Sequence, residues 1–168
     1  LTPTPTPTPT DTPANPGARL LNASYGTAAI DGNLNEWSGP GLQLDASTAI
    51  RVSNPGAILD PADSGAFIRA RWDEAYLYLA IDVSDDFLFN DSGNLWWDDS
   101  IEIGVDGEDD NLSTSPTGGD HQYTIRFDGA AADRSLPVSG SLRWAAQVKP
   151  GGYGIEVAIP PSQLGGQP

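Results

Sequence analysis

Two adjacent tryptophans, Trp96 and Trp97, follow a polar loop and precede a short β-type run that contains carboxylates. A sugar ring presents C–H groups on its faces and hydroxyls on its rim. An indole can therefore stack on the face while polar side chains hydrogen-bond the rim. With Asp99 and Glu102 as rim candidates, this pattern predicts a carbohydrate site. The alternative is that one or both indoles cover the end of the core, because indoles are mostly buried.

Carboxylates are clustered at several turns of the chain. Hard divalent cations prefer oxygen ligands, and Ca²⁺ takes about six to eight of them from acidic loops. We therefore expect bound Ca²⁺, with five candidate ligands: Asp31, Asp82, Asp85, Asp106 and Asp109. Their order does not match an EF-hand loop, so ordinary solvated turns are the alternative for any single cluster.

The residues give thin support for catalysis. The chain contains one histidine, His121, and no cysteine. A lone histidine in a strand is more often structural than catalytic. No Gly-x-Ser-x-Gly elbow or phosphate-binding glycine loop occurs, and the glycines fall in turns. Paired carboxylates can hydrolyse glycosides, but 23 acidic residues provide such pairs by chance. We expect a protein that is not an enzyme.

The charge balance restricts the partners. The formal net charge is −15, with only eight lysines and arginines. Affinity for phosphate backbones depends on clustered cations, which argues against nucleic acid as a partner. There is no apolar run long enough for a transmembrane helix, so we expect no membrane insertion. A polysaccharide or oligosaccharide is compatible with this surface.

Residues 1–17 differ in composition from the rest of the chain, because they are dominated by Thr-Pro repeats. Alternating proline favours an extended polyproline II spacer, and Thr beside Pro is typical of O-glycosylated stalks. We interpret residues 1–17 as a linker and expect a secreted or cell-surface protein. Asn-x-Ser sequons at Asn22, Asn90 and Asn111 could make it a glycoprotein.

Residues 18–168 show short segments with alternating polar and apolar residues, separated by turn residues. Six segments alternate clearly: 66–72, 76–83, 100–105, 121–127, 143–148 and 153–159. Residues 19–25 and 42–45 are weaker candidates, and 34–37 and 161–164 suggest short helical turns. Many short strands without a long helical period predict an all-β fold, an antiparallel β-sandwich of the jelly-roll type.

The alternation also assigns faces to the strands. Several of them place apolar side chains on one face and charged side chains on the other. The charged set is Arg69, Arg71, Glu102, Arg126 and Glu156. These residues could form cross-strand ion pairs on a solvated sheet, or they could line a concave binding face.

Four motifs in order resemble family 9 carbohydrate-binding modules. They are Ile30-Asp-Gly-Asn-Leu-Asn-Glu-Trp37, Arg71-Trp-Asp-Glu-Ala-Tyr-Leu-Tyr-Leu79, Trp96-Trp-Asp-Asp-Ser-Ile-Glu-Ile103 and Gly152-Tyr-Gly-Ile-Glu-Val-Ala-Ile-Pro160. The resemblance covers residues 21–164. It implies a β-sandwich with bound calcium that recognises β-glucan or xylan chains.

The resemblance also assigns roles to individual residues. Trp96 corresponds to one of two stacking indoles, and Glu102 to a carboxylate at the sugar rim. The sugar-binding arginine of the family falls at Thr124, and Arg126 on the same face is the candidate substitute. The second stacking indole lies beyond the end of this chain. We therefore expect a sandwich that lacks its last strand or strands.

These observations leave two alternative functions, which belong to different classes of protein. The first is a non-catalytic, extracellular carbohydrate-binding module with structural calcium, joined by its Thr-Pro linker to another protein. The second is a structural subunit of an extracellular filament or surface layer, in which neighbouring copies supply the missing strand.

Overall fold

The computed structural model describes residues 19–45, 65–107, 120–133 and 142–165. Nine β-strands lie in these ranges: β1 (Ala23–Tyr25), β2 (Leu42–Leu44), β3 (Gly65–Trp72), β4 (Leu77–Ser84), β5 (Ser100–Val105), β6 (His121–Arg126), β7 (Ala131–Asp133), β8 (Arg143–Lys149) and β9 (Gly152–Ile159). Three short 3₁₀ turns accompany them, at Leu34–Glu36, Leu95–Trp97 and Pro161–Gln163. Within the same ranges, no helix has the length and hydrophobicity needed to cross a membrane.

The strands form two sheets, which confirms the predicted all-β sandwich. The larger sheet has the order β1-β3-β4-β9-β8, and β2 also pairs with β3. The smaller sheet has the order β5-β6-β7. All pairs are antiparallel except β1 with β3, which is parallel. The strands β1 and β2 pair with different parts of β3: β1 pairs with residues 70–72, and β2 pairs with residues 66–68.

The main core lies between the two sheets. Alternate residues of β4 and β9 face inward from the larger sheet, and alternate residues of β5 and β6 face them from the smaller one. The buried set includes Ile81, Val83, Val105, Tyr123, Ile125, Ile155, Val157 and Ile159. Burying each such side chain contributes about 1.5–3 kcal/mol, so this layer supplies most of the packing energy.

Residues 27–37 lie across the outer face of the larger sheet, and we call them the covering segment. Trp37 is buried against Tyr78, Ala80 and Ala158, in a second apolar cluster. The small side chains of β4 and β9 leave room for this layer. At Gly32, where φ is 85°, a Cβ would come within 3.0 Å of the Ala146 backbone, so the close approach requires glycine.

The covering segment corrects the expectation for the charged faces of the larger sheet. Glu156 is fully buried beneath the segment and is not part of a solvated surface. Arg71 donates to the backbone oxygens of Thr27 at 3.2 Å and Glu36 at 2.7 Å, and its guanidinium lies over the Trp37 ring. Both charged groups therefore hold the covering segment in place.

Candidate functional site

The tandem tryptophans lie in the 3₁₀ turn Leu95–Trp97, which packs against both β5 and β6 of the smaller sheet. The side chains are nevertheless open to solvent: Trp96 is 55% exposed and Trp97 is 72% exposed. The alternative that they cover the core therefore does not hold in this structure. Two exposed indoles on one turn provide apolar area that a flat ligand can cover.

An ion-pair network holds this turn. The carboxylate of Asp98 accepts a hydrogen bond from the Ser92 backbone at 2.9 Å and one from Nη1 of Arg126 at 2.6 Å. Asp128 accepts from Nε of Arg126 at 3.0 Å and from Nη2 at 2.8 Å. The Asp98 side chain is fully buried, whereas that of Asp128 is 31% exposed. We call Asp98, Arg126 and Asp128 the arginine clamp.

The clamp shifts the pKa of all three groups. Burial would raise the pKa of Asp98, but hydrogen bonds from Ser92 and Arg126 outweigh it and lower the pKa. The hydrogen bond from Arg126 holds the pKa of Asp128 far below its usual range. In turn, the hydrogen bonds to Asp128 and Asp98 raise the pKa of the Arg126 guanidinium. The clamp is therefore fully charged at neutral pH.

The sequence prediction placed Arg126 and Asp99 at the sugar rim, and their observed bonds are with the protein. All three nitrogens of the Arg126 guanidinium donate to Asp98 or Asp128. The carboxylate of Asp99 accepts from the Phe89 backbone at 2.5 Å, and its own backbone N–H donates to the Phe89 carbonyl at 3.1 Å. Both residues thus position the loop and turn that present the indoles.

Glu102 lies on the outer face of the smaller sheet, where its side chain is exposed. Its Oε1 accepts from Nε2 of Gln122 at 3.1 Å and from Oγ1 of Thr124 at 3.2 Å. The register places Thr124 directly opposite Glu102 and Arg126 opposite Ser100. Neither Gln122 nor Thr124 was predicted as a functional residue, although the alternation of β6 places both on the face of Arg126. Glu102, Gln122 and Thr124, which we call the polar row, belong to the sheet against which the turn of the tandem tryptophans packs.

A different part of the molecule brings three carboxylates together. Among the described residues, oxygens of Asp31, Glu36 and Glu156 lie within 4.8 Å of one another. Asp31 was a predicted ligand, whereas Glu156 was not. Glu156 Oε2 accepts from the backbone N–H groups of Asp31 at 2.9 Å and Gly32 at 2.7 Å, and Oε1 accepts from the Trp37 indole at 2.7 Å. We call Glu156 and these three donors the glutamate anchor.

Burial is the largest influence on Glu156 and raises its pKa, while the three N–H donors oppose that shift without cancelling it. The negative charge of Glu36 raises the pKa further. A cation beside these carboxylates would relieve this repulsion, so the residues fit a hard divalent ion.

Those of the other predicted metal ligands that the structure describes do not join this group. Asp82 pairs with Nζ of Lys149 on the outer face of the larger sheet. Asp85 accepts a hydrogen bond from the Phe87 backbone at 3.1 Å and so stabilises a turn. Asp106 follows directly after β5. Asp109, like Asn111 and the predicted linker of residues 1–17, lies outside the described residues.

The lone histidine has a structural environment. His121 is 7% exposed, its Nδ1 lies 2.9 Å from Oδ2 of Asp133, and its ring stacks on Tyr123 at 5.3 Å between centroids. These contacts join β6 to β7. This agrees with the prediction that a lone histidine in a strand is structural.

Solved structures with the same fold include two of a family 9 carbohydrate-binding module from Caldicellulosiruptor kristjanssonii. The structure in complex with cellotriose has a TM-score of 0.62 and 21% identity, over 83% of this chain and 66% of that one. The structure in complex with glucose has a TM-score of 0.61 and 22% identity, over 82% and 66%. At this identity the likeness shows the fold.

Relatives with higher identity are long enzymes. The chain is 30% identical to exoglucanase XynX of Acetivibrio thermocellus over 144 residues, which is 85% of this chain and 12% of that protein. It is 32% identical to endo-1,4-beta-xylanase A of Thermoanaerobacterium saccharolyticum over 143 residues, with the same coverage. The chain thus spans about an eighth of the length of these relatives.

The family comparison covers most of the chain. The model of the carbohydrate family 9 binding domain-like family matches residues 30–168. This range contains the turn of the tandem tryptophans, the arginine clamp and the glutamate anchor. The chain therefore belongs to the carbohydrate family 9 binding domain-like family.

Proposed function

We propose that this chain is a non-catalytic module that binds β-linked glucan or xylan chains. The observation that carries the proposal is the pair of exposed indoles, Trp96 and Trp97, on a turn that packs against the smaller sheet and is held by the arginine clamp. Rigid aromatic groups bind with little loss of conformational entropy. The names of the relatives, xylanases and an exoglucanase, and the cellotriose and glucose of the structural neighbours support this ligand class.

In this proposal Trp96 stacks on a sugar face, and Glu102 accepts hydrogen bonds from hydroxyls on the rim. Gln122 orients the Glu102 carboxylate through the bond to Oε1. Arg126 and Asp99 keep the indoles in position. The proposed roles of Arg126 and Asp99 thus change from rim contact to positioning, because their bonding groups are engaged with the protein.

Isothermal titration calorimetry of the purified chain with cello- and xylo-oligosaccharides tests the proposal. We expect heat on binding, and Trp96→Ala should weaken the affinity by at least roughly tenfold. Trp97→Ala, measured in parallel, shows which indole makes the contact. No heat with any of these sugars would contradict the proposed function, and light scattering of the same sample tests the alternative of a filament subunit.

We also propose that Ca²⁺ binds at Asp31, Glu36 and Glu156. The support is their proximity and the raised pKa of Glu156. When bound, the ion would neutralise this charge and fix the covering segment. A ligand bound only by the native state raises stability, by about 2.7 kcal/mol at 100 times its dissociation constant.

The calcium proposal has its own measurement. A chelator should lower the melting temperature of the wild type and have little effect on Asp31→Asn. Asp86→Asn, which changes an exposed acid away from the glutamate anchor, is the matched control. An unchanged melting temperature in the chelator would count against calcium at this site.

The cellular setting is part of the same proposal. The Thr-Pro composition of residues 1–17 supports an extracellular linker that joins the module to another domain. Cell fractionation with an antibody against the module tests this placement, and retention in the cytosol would contradict it.

A further inference from the structure

Residues 85–99, which we call the aromatic loop, concentrate exposed aromatic surface. Four of the seven large apolar side chains that are exposed among the described residues belong to this loop. Besides the two indoles, Phe87 is 67% exposed and Phe89 is 58% exposed. Soluble proteins rarely expose contiguous apolar groups without a binding role, so these two phenylalanines require an explanation.

The local structure holds both phenylalanine rings outside the core. Leu88, between them, packs on the main core, whereas the two phenylalanine side chains are exposed. The Phe87 backbone donates to Asp85 at 3.1 Å. The Phe89 backbone is bonded twice to Asp99. The rings are therefore displayed by an anchored backbone.

The same bonds join the phenylalanine segment to the turn of the tandem tryptophans. Asp99, which pairs with Phe89, lies two residues after Trp97 in the sequence. Asn90 donates to Oδ2 of Asp128 at 3.3 Å, and Asp128 belongs to the arginine clamp that holds this turn. The two pairs of aromatic residues thus stand on one network of hydrogen bonds.

We propose that Phe87 and Phe89 form a second stacking subsite, which extends the surface of Trp96 and Trp97 so that the module binds several successive sugar units of one polysaccharide chain. This inference rests on the proposed sugar binding and adds the ligand length and the residues that set it. A single indole contacts one sugar ring, whereas several aromatic side chains distributed along the loop can contact successive sugar units of a longer polysaccharide.

The charge around the rings favours a neutral, hydroxyl-rich occupant. The ionisable side chains of the aromatic loop are all acidic, including the exposed Asp86 and Asp91. Carboxylates accept hydrogen bonds from hydroxyl groups and repel an acidic surface. With a formal net charge of −15, a second copy of this chain would meet the same repulsion. A neutral β-linked polysaccharide avoids it.

Calorimetry with a disaccharide and a hexasaccharide of the cello or xylo series separates the two proposals. The wild type should bind the hexasaccharide more tightly than the disaccharide. The double variant Phe87→Leu with Phe89→Leu keeps apolar bulk but removes both rings. It should retain disaccharide affinity within about twofold and lose roughly tenfold in hexasaccharide affinity.

The controls make each outcome decisive. Tyr25→Ala removes an exposed aromatic side chain that lies beside Trp72, at one end of β3, whereas the aromatic loop begins beside the other end of β3. This variant should leave both affinities unchanged. Melting temperatures establish that every variant is folded, and Phe87→Tyr with Phe89→Tyr should restore wild-type affinity because the rings return. Equal hexasaccharide affinity in the wild type and the leucine variant overturns the second subsite while leaving the proposed function intact.

Two further results would also overturn it. Failure of the wild type to bind any sugar removes this proposal together with the proposed function. If light scattering shows that the leucine substitutions convert an oligomer into a monomer without changing hexasaccharide affinity, the rings serve self-association.

Discussion

The arginine clamp and the glutamate anchor both use carboxylates to attach a non-strand segment to a sheet. They differ in the groups that donate hydrogen bonds to those carboxylates. In the clamp, the cation Arg126 joins Asp98 to the half-exposed Asp128. In the anchor, the buried Glu156 receives two backbone N–H groups and one indole N–H, all of them neutral.

The pKa directions show what this difference means. The pKa values of Asp98 and Asp128 are lowered, so their charged forms are favoured by folding. The pKa of Glu156 is raised, so its charged form is disfavoured in spite of three donors. The exposed Asp128 can be altered with little effect on the core, whereas the buried carboxylates of Asp98 and Glu156 are left unsatisfied when their partners are removed.

The largest effect should come from Glu156→Gln. One end of the amide is a donor, so it cannot accept from the N–H groups that surround the glutamate oxygens. Leaving such donors buried and unsatisfied should lower the free energy of unfolding by about 3 kcal/mol. Urea denaturation measures this, with Asp86→Asn, a change of an exposed acid outside the glutamate anchor, as control. If Glu156→Gln matches the wild type, the anchor does not have the role described here.

Trp37→Phe should have the next largest effect on stability. It keeps an aromatic ring in the second apolar cluster but removes the donor to Oε1 of Glu156. We expect a loss of about 2 kcal/mol, because the buried acceptor is then left without its partner. Trp144→Phe is a matched control, since its indole donates to the Gly129 carbonyl on the other side of the molecule. A loss no greater than that of the control would contradict the prediction.

Arg126→Gln should affect ligand binding more than either anchor variant does. Without the guanidinium, nothing joins Asp98 to Asp128, and the turn of the tandem tryptophans loses its fixed position. Calorimetry should show roughly tenfold weaker oligosaccharide affinity. The melting temperature should also fall, because the buried Asp98 carboxylate loses its cation. Arg126→Lys should rescue binding only in part, because lysine cannot bond Asp128 with two nitrogens. Unchanged oligosaccharide affinity in Arg126→Gln would contradict the positioning role of Arg126.

The smallest effect should be the pH dependence of the clamp. Since the folded pKa values of Asp98 and Asp128 are lowered, their stabilisation is present above the unfolded value of about 3.9 and is lost as the pH falls below it. The difference in melting temperature between wild type and Arg126→Gln should therefore shrink below about pH 4. The pH dependence of Glu156 has the opposite sign. Because its folded pKa is raised, its contribution to folding stability decreases as the pH rises above the pKa of the unfolded state, about 4.3.

The strands were largely predictable because their periodicity is local. Residues 100–105 form β5 as expected, and the other five clear predictions differ from the observed strands by at most one residue at either end. The three-residue β7 was not predicted, because Ala131–Asp133 has too few residues to show a period. The 3₁₀ turn at Leu95–Trp97 was not predicted either.

The candidate site was less predictable, because its bonds join distant parts of the chain. The exposure of Trp96 and Trp97 agrees with the stacking interpretation, and their types and spacing were visible in the sequence. The environment of Arg126 depends on Asp98, 28 residues earlier in the chain. Alternation placed Glu156 opposite the core, but it could not indicate that residues 27–37 would cover that face.

The anchor also constrains the order in which the chain can fold. The bonds to Glu156 join residues 119 to 125 positions apart, and β9 is the central neighbour of both β4 and β8. During synthesis the covering segment emerges early and its partner emerges late. Until β9 is added, Tyr78 and Trp37 have no complete surface to pack on, and such non-local pairing is slow. The nascent domain thus passes through a stage with exposed aromatic surface, in which mutual repulsion between acidic chains opposes aggregation.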